Sequence, residues 1–240
     1  MAQLKALFLD VGGTLWPDTW PDDGRAAERV LSAVPHLPRA TADRIVAGLR
    51  AREKELAASI EQHPLAAVHN VCVEAGLTLS TSELHDIQRA MAVPASAGTP
   101  MLPGAAELLA WAHSVRLAIV LVSNTTWRDA VGYREDLMQV GVEQYIDVII
   151  TSVDVGYRKP HEAIFQAALA ASNYEAAEVV FIGDSEEKDI VPAKSLGMRT
   201  VRVAIEVPPP PTSAADAIAT SLTEVQHILE SWLAGVSVAG

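Results

Sequence analysis

The chain begins with a short apolar run, Ala6 to Leu9, that ends at a carboxylate, Asp10, and two glycines, Gly12 and Gly13. Four consecutive apolar positions without helical spacing predict a strand buried on both faces. The glycines predict a sharp turn whose backbone a ligand can approach, because no Cβ stands in the way. Trp16 to Gly24 then reads as a loop from its prolines and acids. Beyond it, apolar positions recur at helical spacing. Ala26, Val30, Leu31 and Val34 share one face. Ile45, Leu49, Leu56 and Ile60 form the next stripe, with Thr41 as its N-cap, and a third helix opens at Pro64 and closes at Gly76. Ser80-Thr81-Ser82-Glu83 is a capping box before Leu84, Ile87 and Met91. No strand pattern interrupts these helices. Residues 16–97 therefore predict an all-helical insert between two parts of a core, 1–15 and 98–240.

From Gly104 helix and strand alternate. Helical patterns cover Ala105 to His113, Trp127 to Val140, His161 to Ala171 and Pro192 to Leu196. Apolar strand patterns cover Leu117 to Val122, Val148 to Ile150, Val179 to Ile182 and Thr200 to Val203. Strands that are apolar throughout and alternate with helices predict an α/β fold, a doubly wound parallel sheet covered on both faces. Pro208 to Pro211 reads as a stiff spacer, and Leu222 to Leu233 as a final amphipathic helix.

Composition narrows the partners. The net charge of −12 over 240 residues argues against nucleic acid or an anionic membrane, both of which need a basic surface. An anionic small-molecule substrate would need a local cation. The single cysteine, Cys72, excludes an internal disulfide and fits a reducing compartment. The first residues carry no signal-peptide pattern, and no apolar stretch approaches the roughly 20 residues that span a bilayer. A cytoplasmic location is the expectation.

The candidate chemistry lies at the strand ends. The first strand ends in Asp10, the second in Ser123-Asn124-Thr125, the fourth in Gly183-Asp184-Ser185 with Asp189 four residues on. The third leads through a loop to Arg158-Lys159-Pro160. In a parallel sheet these ends share one rim, where open α/β sheets bind ligands. Carboxylates, a hydroxyl, an amide and a lysine together suit transfer of an anionic group. Asp10 is the candidate nucleophile. Asp10 and Asp184 are candidate ligands of Mg²⁺, a cation that takes oxygen ligands. Lys159 would neutralise charge on the transferred group, Ser123 would hold its oxygens, and Asp189 would hold metal-bound water or orient Lys159.

Four motifs in order, Asp10-Val11-Gly12-Gly13-Thr14-Leu15, Ser123-Asn124, Arg158-Lys159-Pro160 and Gly183-Asp184-Ser185 with Asp189, resemble those of the haloacid dehalogenase superfamily of hydrolases. The connecting stretches Leu102 to Leu109, Gly156 to Phe165 and Ala193 to Met198 resemble it as well. The resemblance implies a phosphatase-like hydrolase with a helical (C1-type) cap, acting on a small phosphorylated metabolite through an aspartyl-phosphate. It implies Asp10, Ser123 and Lys159 as catalytic residues and Ser123, Asn124 and Lys159 as substrate-binding ones. It implies Asp10, the Gly12 carbonyl, Asp184 and Asp189 as the Mg²⁺ site. Phosphatases of the superfamily carry a second aspartate two residues after the nucleophile, which protonates the leaving group and then activates water. Here that residue is Gly12. Turnover is then slow, or the proton travels by another route. Asp18, Asp22 and Asp23 follow closely, either as a solvated acidic loop or as groups that reach the site. Two alternatives stay open. One is a phosphonatase- or dehalogenase-type hydrolase, the former needing a Schiff-base lysine for which Lys54 is the sole candidate in the insert. The other is a phosphate-binding regulatory protein without turnover.

Overall fold

A computed structural model describes residues 3–18, 22, 24–94, 98–205 and 212–235. Its centre is a six-stranded sheet in the order β3-β2-β1-β4-β5-β6, with every pairing parallel. The strands are β1 (Ala6–Leu9), β2 (Ala118–Ser123), β3 (Val148–Thr151), β4 (Val179–Gly183), β5 (Arg199–Val203) and β6 (Ala217–Ala219). The chain lays β2 and β3 on one side of β1, then crosses back to lay β4, β5 and β6 on the other. β1 is therefore flanked on both edges: Leu9 pairs with Leu121 and with Ile182.

The period of two along β1 sorts its side chains between the faces. Leu7 and Leu9 join one apolar cluster, covered by α5 (Ala105–Ser114), α6 (Ala130–Gln139) and α10 (Leu222–Leu233). Ala6 and Phe8 join the other, covered by α8 (Glu162–Ser172) and α9 (Val191–Ser195). Both faces being buried, every strand position is free to be apolar. This is why the strands read as continuous runs.

The predicted helical insert forms α1 (Ala26–Ala33), α2 (Arg39–Ala58), α3 (Pro64–Glu74) and α4 (Thr81–Met91), followed in chain order by α5. These four bury a cluster of their own around Val30, Ile45, Leu49, Val68 and Ile87, with Cys72 inside it. Trp127, from the loop after β2, belongs to that cluster and is 4% exposed. The capping box at Ser80 is present in both directions.

Several boundaries differ from the sequence expectation. α2 begins at Arg39 behind Pro38, so Thr41 lies buried within the first turn and is not the cap. α6 starts at Ala130, with Asp129 as its cap, because Trp127 is drawn into the insert cluster. A short α7 (Ser152–Val155) and a π-helical turn over Glu186–Ile190 had no sequence counterpart, nor did β6. Trp20, Asp23 and the Pro208–Pro211 spacer lie outside the described residues.

Candidate active site

The backbone of Asp10 extends β1 by one residue, its N–H donating to the Ile182 carbonyl at 2.9 Å. The carboxylate thus emerges at the carboxyl rim between β2 and β4. The turn after it is tight: the Val11 carbonyl accepts from Leu15 at 2.8 Å and from Trp16 at 2.9 Å, and Gly13 N–H donates to the Trp16 carbonyl at 2.7 Å. Gly13 adopts φ +71°, and a Cβ there would stand 2.7 Å from Asp184 Oδ2. The second glycine is therefore what lets Asp184 lie against the first loop.

Lys159 is the hub. It is 4% exposed, and its Nζ lies 2.5 Å from Asp10 Oδ1, 2.7 Å from Asp189 Oδ1 and 2.9 Å from the Val122 carbonyl. Asn124 fixes its backbone from both sides, accepting from Lys159 N–H at 2.7 Å and donating to the Lys159 carbonyl at 2.9 Å. The Lys159–Pro160 peptide is cis. Asp189 is buried, and its Oδ2 accepts from Ser185 N–H at 3.0 Å. Asp189 thus has one oxygen on Lys159 and the other on the loop after β4. Ser123 is buried at the end of β2, 3.0 Å from the Tyr133 hydroxyl.

The seven sequence candidates thus converge on one rim. The sequence did not indicate Tyr133, which carries no motif. It also missed Arg202, whose Nε donates to the Asp184 carbonyl at 3.1 Å from the neighbouring strand. Lys54 is exposed on α2, and His161 caps α8 by accepting from Ala163 N–H.

Burial pushes the Asp10 carboxyl up to about 7, against the pull of Lys159, with Asp189 and Asp184 adding to the rise. Burial and the Asp189 charge push Asp184 up to about 6. Burial alone would lower Lys159, but Asp10 and Asp189 outweigh it and hold the ammonium above its ordinary range. Asp10, Asp184 and Asp189 each offer an oxygen, all within 4.8 Å of one another. Once fully ionised, the three carboxylates would exceed the one ammonium by two negative charges. This donor set is all hard oxygen and fits a divalent cation such as Mg²⁺.

The rim opens into two adjoining clefts. One, of about 460 Å³, is lined by Asp10, Gly12, Lys159 and Asp184 among others. The second, of about 450 Å³, runs under the helical insert past Trp16, Arg50, Glu53, Met91 and Trp127. Among the described residues no helix is long and apolar enough to cross a membrane.

Comparison with known proteins gives consistent matches. A family model described as "Hydrolase: haloacid dehalogenase-like hydrolase" matches residues 4–197. A glyceraldehyde 3-phosphate phosphatase of Methanocaldococcus jannaschii is 44% identical over 69 residues, 29% of this chain and 30% of that protein. A ribulose-1,5-bisphosphate 5-phosphatase of Halopiger xanaduensis is 31% identical over 131 residues, 55% of this chain and 53% of that protein. The chain thus spans between about a third and about half of the length of these relatives. Among solved structures, a HAD phosphatase from Thermococcus onnurineus superposes with a TM-score of 0.58 at 22% identity, covering 98% of this chain and 100% of that one. A 2-haloacid dehalogenase from Pseudomonas syringae superposes at 0.63 and 18% identity, covering 96% and 100%. At these identities the structural likeness concerns the fold.

Proposed function

We propose that this chain, which belongs to the haloacid dehalogenase-like hydrolase family, is a Mg²⁺-dependent phosphatase of small phosphorylated metabolites. The observation that carries this reading is the buried Asp10–Lys159–Asp189 array with Asp184 beside it. Asp10 attacks phosphorus, forming an Asp10 oxygen–phosphorus bond as the bond to the leaving oxygen breaks. Water then attacks the same phosphorus, the bond to Asp10 breaks, and phosphate leaves. Lys159, pinned by Asp189 and Asn124, meets the charge on the transferred group without reorganising. Ser123 offers a hydroxyl at the end of β2 for one of its oxygens. Asp10, Asp184, Asp189 and the Gly12 carbonyl are the residues that would hold Mg²⁺. When bound, the ion supplies charge neutralisation for the carboxylates and the phosphoryl group.

The helical insert, residues 16–97, is the cap in this reading. Its underside walls the second cleft with Arg50, Glu53 and Met91 and so selects the leaving group. Cytoplasmic residence agrees with the free, buried Cys72. A Schiff-base route is disfavoured by the exposure of Lys54.

Hydrolysis of 4-nitrophenyl phosphate is the test. Turnover is expected to need Mg²⁺, to stop in excess chelator, and to vanish in Asp10→Asn. Activity indifferent to both changes would overturn the reading.

A further inference from the structure

We propose that Asp18 is the proton donor and acceptor of this site, standing in for the acid that the chain lacks at residue 12; the inference rests on the phosphatase reading above. Gly12 does not need to be glycine for its backbone, since it has no left-handed φ, unlike Gly13. What stands in the way of a side chain is Asp18. A Cβ on Gly12 would meet Asp18 Oδ1 at 3.3 Å and Asp18 Cα at 3.7 Å. The carboxyl of Asp18 thus lies in tight contact with the place where a side chain at residue 12 would begin.

The chain is built to bring it there. The hydrogen bonds from Leu15 and Trp16 back to Val11, with Trp16 buried at 2% exposure, reverse the direction of the loop. Pro17 and Asp18 then pass beside Gly12. Asp18 lines the cleft that holds Asp10, Lys159 and Asp184, and also the cleft beneath the insert. Among the described residues it is the one acid common to both. That is the position of a leaving group, with its phosphorus over Asp10 and its organic part under the cap. The other acids of the second cleft, Asp22 and Glu53, line that cleft and not the first. Asp22 accepts from Arg50 at 3.0 Å, and Glu53 accepts from Arg50 at 2.9 Å and from Trp127 Nε1 at 3.1 Å. Asp18 also lies outside the cluster of three acids suited to a cation. It is exposed to solvent.

The steps balance. As the phosphorus–oxygen bond to the leaving group breaks, Asp18 gives its proton to that oxygen and becomes a carboxylate. It then takes a proton from the water that attacks the aspartyl-phosphate, and Asp10 leaves as a carboxylate. Asp18 ends protonated, and the net change is ester plus water to alcohol plus phosphate.

The experiment compares phenyl phosphate with 4-nitrophenyl phosphate, similar in size but unequal in their need for a proton on the leaving oxygen. General acid–base help is worth about 10²–10⁴-fold. Asp18→Asn should lose about 10²-fold or more in kcat/KM on phenyl phosphate and far less on 4-nitrophenyl phosphate. With the latter it should release one nitrophenolate per site in a burst and then turn over slowly. Asp18→Ala with Gly12→Asp should recover activity, whereas Gly12→Asp alone should gain little, because two carboxyls compete for one place. Equal losses on both esters without a burst, no loss at all, or an equal gain from Gly12→Asp in both backgrounds would overturn the role of Asp18. In those cases, loss of turnover in Asp10→Asn keeps the phosphatase reading. Wild-type turnover that survives Asp10→Asn removes both.

Discussion

Lys159 sits buried among Asp10, Asp189 and the Val122 carbonyl, and these neighbours shape how the protein responds to pH. Asp10 and Asp184 hold their protons more tightly folded than unfolded, at about 7 and about 6 against an ordinary value near 4. Between roughly pH 4 and pH 7 the metal-free folded chain therefore binds more protons than the unfolded chain, and its stability falls as pH rises. Denaturation in chelator at pH 5 and pH 7.5 is expected to show this decline, and Asp10→Asn with Asp184→Asn to flatten it. Mg²⁺, bound as proposed, would compete with those protons, so its stabilisation should be larger at pH 7.5 than at pH 5. A metal-free protein that grew more stable across this interval would contradict the assignment. At this scale the sequence revealed the residues that follow an apolar strand directly, Asp10, Ser123 and Asp184, because a strand end fixes where the next side chain goes. Asp189 and Lys159 were legible through their motifs. Tyr133 and Arg202 were not. Their contacts join separate elements, and nothing local in the chain records such a meeting. The crowding of Asp18 against Gly12 was hidden for a related reason, since it depends on how the Val11–Trp16 turn closes.

The long elements were legible because burial on both faces and amphipathic stripes leave different periods in the chain. β6 was not. It has three residues, is partly buried and sits at the sheet edge, so neither an apolar run nor an alternation has room to develop. The start of α6 was misplaced because Trp127 is apolar for the sake of another cluster rather than for its own helix. The α4 cap, in contrast, is a purely local device. Ser80 Oγ accepts from Glu83 N–H, and the Glu83 carboxylate accepts from Ser80 N–H at 2.7 Å. Ser80→Ala removes one half of that exchange and should cost about 1 kcal/mol, a loss of roughly 2–4 °C in Tm for a chain of this size. It should leave kcat on 4-nitrophenyl phosphate unaltered, because Ser80 lies at the opposite end of α4 from Met91, which lines the second cleft. A thermal scan beside a rate assay checks both halves.

Across the whole molecule, the sheet with its two covered faces and the helical insert with its own cluster are separately packed bodies. Their seam is polar along much of its length: Gln62 donates to the Thr125 carbonyl at 2.6 Å, Arg158 donates to Gln62 at 2.7 Å, and Gln88 donates to the Trp127 carbonyl at 3.2 Å. Among the described residues, only Trp127 crosses from the sheet side into the apolar interior of the insert. The same short loop begins at Ser123 and Asn124, so the segment proposed to hold the transferred group is plugged at its other end into the helices above. This gives the protein an optical gauge. An indole that is 4% exposed in this apolar cluster, its N–H on the Glu53 carboxylate, emits toward the blue, and it shifts to the red once more water reaches it. The difference in emission between wild type and Trp127→Phe isolates this signal from the other four tryptophans. It is expected to be blue with Mg²⁺ and inorganic phosphate bound, and to redden only if the insert lifts far enough to draw the ring out. An emission that stays blue through catalysis would mean that loop and insert travel together, as one moving part.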